Sequence, residues 1–157
     1  MEKFLVDIML GKLARWLRIL GYNAIYANIK EIHILFYYLE NGYIFLTRRG
    51  QWKNCRHLKG KAVYFVQSDK WPEQLKEIVN KYNLKPYYLF SRCIVCNTPL
   101  VKKEKNELLL TIPEYVAHSF SQFKFCPKCK RIYWPGTHQK RMREKLKEIF
   151  GENWILL

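Results

Sequence analysis

Between Met9 and Leu20 the apolar positions Met9, Leu10, Leu13, Leu17 and Leu20 return every three to four residues. That is the stripe of an amphipathic helix, and Gly21 stands where a helix C-terminal glycine belongs. A second helical stretch covers residues 31–40 and stops at Asn41-Gly42. A third covers 71–82, with Pro72 in its first turn. Between them lie short apolar runs of strand type: 3–6 closing on Asp7, then 24–26, 43–47 and 62–66. Residues 84–89 read as a last strand. The polar stretch 48–61 reads as a loop with a short helix.

Strands alternating with helices predict an α/β fold with a mainly parallel sheet flanked by helices. Parallel strands are joined by right-handed crossovers, and open sheets of this kind carry their functional crevice at the carboxyl ends of the strands. Asp7 ends the first strand and Glu31 opens the helix after the second. Thr47-Arg48-Arg49 closes the third, and Ser68-Asp69 follows the fourth. Four polar clusters thus fall where such folds build sites. An acid after a strand also serves to cap the next helix, and Asp69 before the 71–82 helix is open to both roles.

Composition shifts near residue 90. This predicts an α/β domain over 1–88 and a second unit over 89–157. Four of the five cysteines form two Cys-x-x-Cys pairs, Cys93/Cys96 and Cys126/Cys129, with 29 residues between the pairs. Each pair aims two thiolates at one point, and two pairs complete the tetrahedron of a structural zinc. The spacing is that of a zinc ribbon, with a hairpin expected between 100–103 and 108–112 across Lys105-Asn106. Four thiolates close the coordination sphere, so one zinc per chain is expected to be structural. Cys55 stands alone as a passive thiol.

The chain of 157 residues carries 28 Lys and Arg against 13 acids, a formal charge of +15. The excess is spread as +8 over 1–88, +5 over 89–136 and +2 over 137–157. A folded surface so basic points to a polyanion, and RNA is the partner expected. Lys12, Arg15 and Arg18 lie on the first helix, Lys12 and Arg15 in its first turns near the Asp7 end of the sheet. Lys140 and Arg141 open a basic helix that leads out of the ribbon. No apolar run is long enough to cross a membrane, so no membrane role is expected. The N-terminus lacks a secretory pattern, so a cytoplasmic location is expected and disulfides are disfavoured. The ribbon also offers a surface for a protein partner. Only two aspartates exist, Asp7 and Asp69.

One resemblance draws these strands together. The opening Phe4-Leu5-Val6-Asp7, Met9-Leu10-Gly11-Lys12-Leu13-Ala14-Arg15-Trp16-Leu17-Arg18 and Leu20-Gly21-Tyr22 resembles that of the Mut7-C RNase domain family. So do Arg92-Cys93, Cys96-Asn97, Phe125-Cys126, Cys129 and the ending Tyr133-Trp134-Pro135-Gly136-Thr137-His138. The resemblance implies a PIN-like nuclease fold followed by a zinc ribbon, and a metal-dependent endoribonuclease acting on RNA phosphodiesters. It implies Asp7 and Glu31 as catalytic acids, with Asp69 supplying a remaining ligand to Mg²⁺ or Mn²⁺. Lys12 and Arg48 would then hold phosphate, and Arg15, Lys140 and Arg141 would extend the RNA contact. Where the family reads Thr-Arg-Asp, this chain reads Thr47-Arg48-Arg49. A guanidinium about 5 Å from a dication repels it by several kcal/mol even at an effective dielectric near 20. Either Arg49 points away from the site, or metal binding is weakened, or the protein binds RNA without cutting it. The expectation is a ribonuclease weakened by Arg49, the alternative a non-catalytic RNA-binding protein on the same fold.

Overall fold

The computed structural model describes residues 1–155. Its first part is a parallel sheet of β1 (Lys3–Asp7), β2 (Asn23–Ala27), β3 (Tyr43–Thr47) and β4 (Val63–Phe65). The strand order is β2-β1-β3-β4. Helices α1 (Gly11–Ile19), α2 (Ile32–Glu40), α3 (Gly50–Lys53) and α4 (Trp71–Tyr82) fill the connections. β1 is buried from Phe4 to Asp7, as a strand covered on both faces must be. Its side chains alternate between two cores. Phe4 and Val6 pack with Leu13 and Leu17 of α1 and with Leu75 and Ile78 of α4. Leu5 joins Phe45, Leu35 of α2 and Trp52 of α3 on the other side. Because the chain passes from β2 over β1 to β3, the connection reverses at β1. The crevice rule therefore points to the ends of β1 and β3.

The helix expected from Met9 begins at Gly11, since Ile8–Leu10 form a 3-10 turn. Gly21 follows its last turn at φ +97, and a Cβ there would lie 2.4 Å from the Tyr88 carbonyl oxygen. Glycine is thus required twice, by the left-handed backbone and by the chain passing over it.

Residues 84–89 are not a strand. Pro86 brings no N–H to a sheet ladder. The Tyr22 hydroxyl donates to the Lys85 carbonyl at 3.0 Å and accepts from its N–H at 2.9 Å. The Phe90 N–H donates to the carbonyl of Ile19 at 2.9 Å. Long-range bonding to Tyr22 and to the end of α1 therefore replaces strand pairing, and the segment folds into turns.

The second part is a three-stranded antiparallel sheet, β5 (Val101–Lys103), β6 (Phe123–Phe125) and β7 (Ile132–Tyr133), in the order β5-β6-β7. The hairpin expected between 100–103 and 108–112 does not form. Glu104 and Glu107 make a reciprocal capping box and start α5 (Lys105–Leu108). Leu108 and Ile112 then pack with Val116 of α6 (Glu114–Ser119) and with Phe123. The partner of β5 is β6, well beyond that excursion.

Helix α7 (Thr137–Phe150) and the short α8 (Glu152–Ile155) leave the ribbon and return to the parallel sheet. Leu146 is fully buried in the core built by α1 and α4, with Met142, Ile149, Phe150 and Trp154 packed against it. The C-terminal helix thus completes the core of the first part.

Gly21→Ala is expected to cost about 3 kcal/mol, because left-handed strain adds to a backbone clash. Gly42 also has positive φ, but a Cβ there would meet only the end of Lys3 at 3.6 Å. Gly42→Ala should cost only about 1 kcal/mol. Urea denaturation of the two variants checks the difference.

Candidate functional site

Asp7 lies at the switch point with none of its surface exposed. One carboxylate oxygen accepts the Ile8 N–H at 2.8 Å. The other accepts the Thr47 hydroxyl at 2.6 Å and the Arg49 Nε–H at 2.7 Å. The Arg49 guanidinium also donates to Asn28 Oδ1 at 3.3 Å and to the Ile29 carbonyl. Its backbone N–H donates to Thr47 Oγ1 at 3.0 Å. The parallel register of β1 and β3 brings Thr47 beside Asp7, and the chain then turns Arg49 inward. Arg49 does not point away from the acid. It is the counter-ion of Asp7, only 18% exposed. Thr47 was legible in the sequence as part of the cluster that closes β3, whereas Asn28 was not singled out, since a lone amide carries no pattern.

Glu31 is exposed and precedes α2 without capping it. Its Oε2 lies 3.3 Å from His33 Nδ1. Asp69 is exposed, and its carboxylate does not cap α4. It lines a cleft of about 670 Å³ with Lys12, Gly11, Tyr26 and Trp71. Among the described residues, the four paired cysteines are the one group of three or more metal-type ligands. Asp7, Glu31 and Asp69 are not gathered into a second. With Asp7 engaged by Arg49, these carboxylates as they stand do not fit Mg²⁺ or Mn²⁺, which need several oxygen ligands at one point.

The basic residues divide. Lys12 and Arg15 are exposed on α1, and Lys140 and Arg141 on α7. Arg18 is buried instead of lying on that face: its guanidinium donates to the carbonyls of Ala24 at 2.8 Å, Ile94 at 3.2 Å and Val95 at 3.0 Å. It ties α1 and β2 to the first cysteine turn. Arg48 is exposed, yet its Nη1 donates to the carbonyls of Val66, Gln67 and Ser68, bracing the exit of β4.

The cysteine turns are matched. Asn97 N–H donates to the Cys93 carbonyl and Lys130 N–H to the Cys126 carbonyl, both at 2.9 Å. Asn97 and Lys130 hold φ of 70 and 64. All four sulfurs lie within 4.8 Å of one another, with Cys93–Cys129 at 3.5 Å and Cys96–Cys126 at 3.3 Å. Tetrahedral Zn–S bonds of about 2.3 Å set sulfurs a little under 4 Å apart, so the cluster fits such an ion. Burial pushes the Cys129 thiol up to about 12, and its sulfur neighbours add to the rise. Burial also opposes ionisation of Cys96, but hydrogen bonding with Thr98 and its sulfur neighbours outweighs it and brings that thiol down to about 6. A bound cation would displace the protons the cluster retains. Cys55 lies apart in the α2–α3 core.

The first turn is also pinned to the sheet edge. Asn97 accepts the Ala24 N–H at 3.0 Å and donates to Asn23 Oδ1 at 2.7 Å. The Arg92 guanidinium donates to the Gly21 carbonyl at 3.1 Å and the Asn97 carbonyl at 2.8 Å. These bonds cover an otherwise open edge of β2.

Parallel α/β sheet, buried acid at the switch point and four-cysteine cluster together define an α/β protein whose appended ribbon is able to hold a metal. The family model of the Mut7-C RNAse domain matches residues 2–146, and the chain belongs to that family. Membership supports a ribonuclease-type role with RNA as the substrate class. No curated protein and no solved structure matches the chain. Among the described residues, no helix is long and apolar enough to cross a membrane.

Elemental analysis is expected to find about one zinc per chain, retained in Cys55→Ser and lost in Cys126→Ser. Chelation should expose amides of residues 89–136 to exchange while the parallel sheet stays largely protected. A native disulfide between Cys93 and Cys96 would overturn this reading.

Proposed function

We propose that this chain is an RNA-binding member of the ribonuclease family in which metal-dependent cleavage is suppressed by Arg49. The observation that carries the reading is the 2.7 Å pair between Arg49 Nε and buried Asp7 Oδ2. A dication using Asp7 would have to displace a guanidinium that also serves Asn28 and Ile29. Breaking a buried, hydrogen-bonded pair costs about 3–5 kcal/mol, or a hundredfold or more in metal affinity. Exposed Lys12, Arg15, Lys140 and Arg141, within a net charge of +15, supply the attraction for a phosphate backbone. The cysteine cluster holds a structural zinc. Cysteines committed to a metal rather than to disulfides suit a reducing compartment, the cytoplasm.

The second reading is an active Mg²⁺- or Mn²⁺-dependent endoribonuclease with Asp7, Glu31 and Asp69 as its acids. What favours it is the cleft that Asp69 and Lys12 share beside the end of β1. It requires Arg49 to leave Asp7 when RNA arrives.

Mn²⁺ titration alongside cleavage of a mixed-sequence RNA separates the two. Wild type is expected to cut weakly and only at high metal. Arg49→Asp should lose stability without metal, because two carboxylates then share a buried site, and regain it with Mn²⁺. Its cleavage should exceed that of wild type, and Asp7→Asn in the same background should remove the gain. Brisk cleavage by wild type at low metal, unchanged in Arg49→Asp, would sink the suppressed reading and favour the second.

RNA affinity should fall steeply with salt, and Arg15→Ala and Lys140→Ala should each weaken it with little dependence on base sequence. Anisotropy titrations of several labelled oligonucleotides at graded salt check this; an affinity independent of salt would refute it.

A further inference from the structure

Lys102 of β5 and Lys124 of β6 are direct cross-strand partners. Residues so paired share one face of the sheet, and like charges in that position repel. The Lys124 ammonium donates to the Phe90 carbonyl at 2.9 Å. The Arg143 guanidinium of α7 lies over the Phe90 ring, 5.0 Å from its centroid. Lys102 and Arg143 both stand close enough to repel the Lys124 charge. Lys102 of β5 and Arg143 of α7 therefore both crowd Lys124 of β6. Among the described residues, none of the three takes part in an ion pair, although Lys103, Lys145 and Lys147 nearby in sequence do. Lys140 stands one turn before Arg143 on the same side of α7 and extends the row.

Folding gathers these charges at an electrostatic cost, and among the described residues no ion pair offsets it. A bound polyanion removes that cost, whereas a solvated surface would disperse the charges. We infer that Lys102, Lys124 and Arg143 form a binding site for RNA backbone phosphates, separate from the Asp7 centre. The ribbon docks at Asn23 and Ala24, where β2 begins, whereas Asp7 is level with Ala27, where β2 ends. A strand held here would thus be anchored at the end of the sheet opposite the buried acid. The site rests on the RNA reading above and joins Arg143 of the basic helix to Lys102 and Lys124, which the sequence did not single out.

The test uses zinc-loaded full-length protein and a labelled single-stranded RNA of mixed sequence, with wild type, Lys102→Gln, Arg143→Gln, their double variant and the control Lys59→Gln. Lys59 is exposed in the loop before β4. Each cluster substitution should reduce the slope of log affinity against log salt by about 0.7, and the double variant by about 1.4. Lys59→Gln should leave it unchanged. Without RNA, Lys102→Gln should raise the melting temperature by about 1–3 °C as repulsion is relieved. Tripolyphosphate should stabilise wild type but not the double variant. If RNA binds but the slope is unaltered in the double variant, the site is refuted while the RNA reading stands. If RNA fails to bind but tripolyphosphate stabilises wild type selectively, the anion site stands and the RNA reading fails. If tripolyphosphate discriminates nothing, the cluster is not an anion site.

Discussion

A carboxylate buried between the two apolar faces of a parallel sheet must have a partner, and in this chain the partner is Arg49. Asp7 ends the most buried strand, level with Ala27 on one side and beside Thr47 on the other. Its oxygens take a backbone N–H, a hydroxyl and a guanidinium, so a charge that would otherwise be costly is fully satisfied. The same guanidinium reaches Asn28 and Ile29 in the loop after β2. One arginine thus joins the ends of three strands and holds the crevice in a single arrangement. Under the proposed reading, a cation fixed to the chain stands where the family resemblance implies an acid and an exchangeable metal ion.

A second set of polar contacts makes the ribbon and the sheet one structure. Arg18 leaves the solvent side of α1 and donates to carbonyls on β2 and in the first cysteine turn. Asn97 completes the hydrogen bonding of the β2 edge. Helix α7 then brings Leu146 back to the core of α1 and α4. The cysteine cluster therefore does more than stabilise its own sheet. It sets where the basic residues of β5, β6 and α7 stand relative to the crevice.

Much of this was legible along the chain. The four strands, three long helices, parallel arrangement and glycine after α1 follow from periodicity, which is local and repeats within a window of a few residues. The cysteine spacing was equally legible, because two short turns each carry their own geometry. The errors fell where local pattern met long-range competition. Residues 84–89 have strand-like composition, but Tyr22 takes up Lys85 and Ile19 takes up Phe90. Residues 108–112 are a short apolar run of strand type, but a capping box turns the chain just before them into a helix, and β5 pairs with β6 instead.

The sequence by itself determined the fold class and the cysteine cluster, and it offered Asp7, Glu31 and Asp69 as candidate acids. Asp7 was conspicuous because only two aspartates exist and one ends a strand. Only the tertiary structure decided where those side chains lie and what they touch. Whether Arg49 faced the acid or turned from it depended on side-chain direction at the end of β3, which no spacing encodes. Arg18 looked like part of a basic face, and its burial depends on carbonyls 76 and 77 residues away. Lys102, Lys124 and Arg143 share no motif, because cross-strand register and helix return join positions far apart in the chain. Charge can be counted along a sequence, but the energy between charges depends on distance and burial, which exist only in the folded molecule.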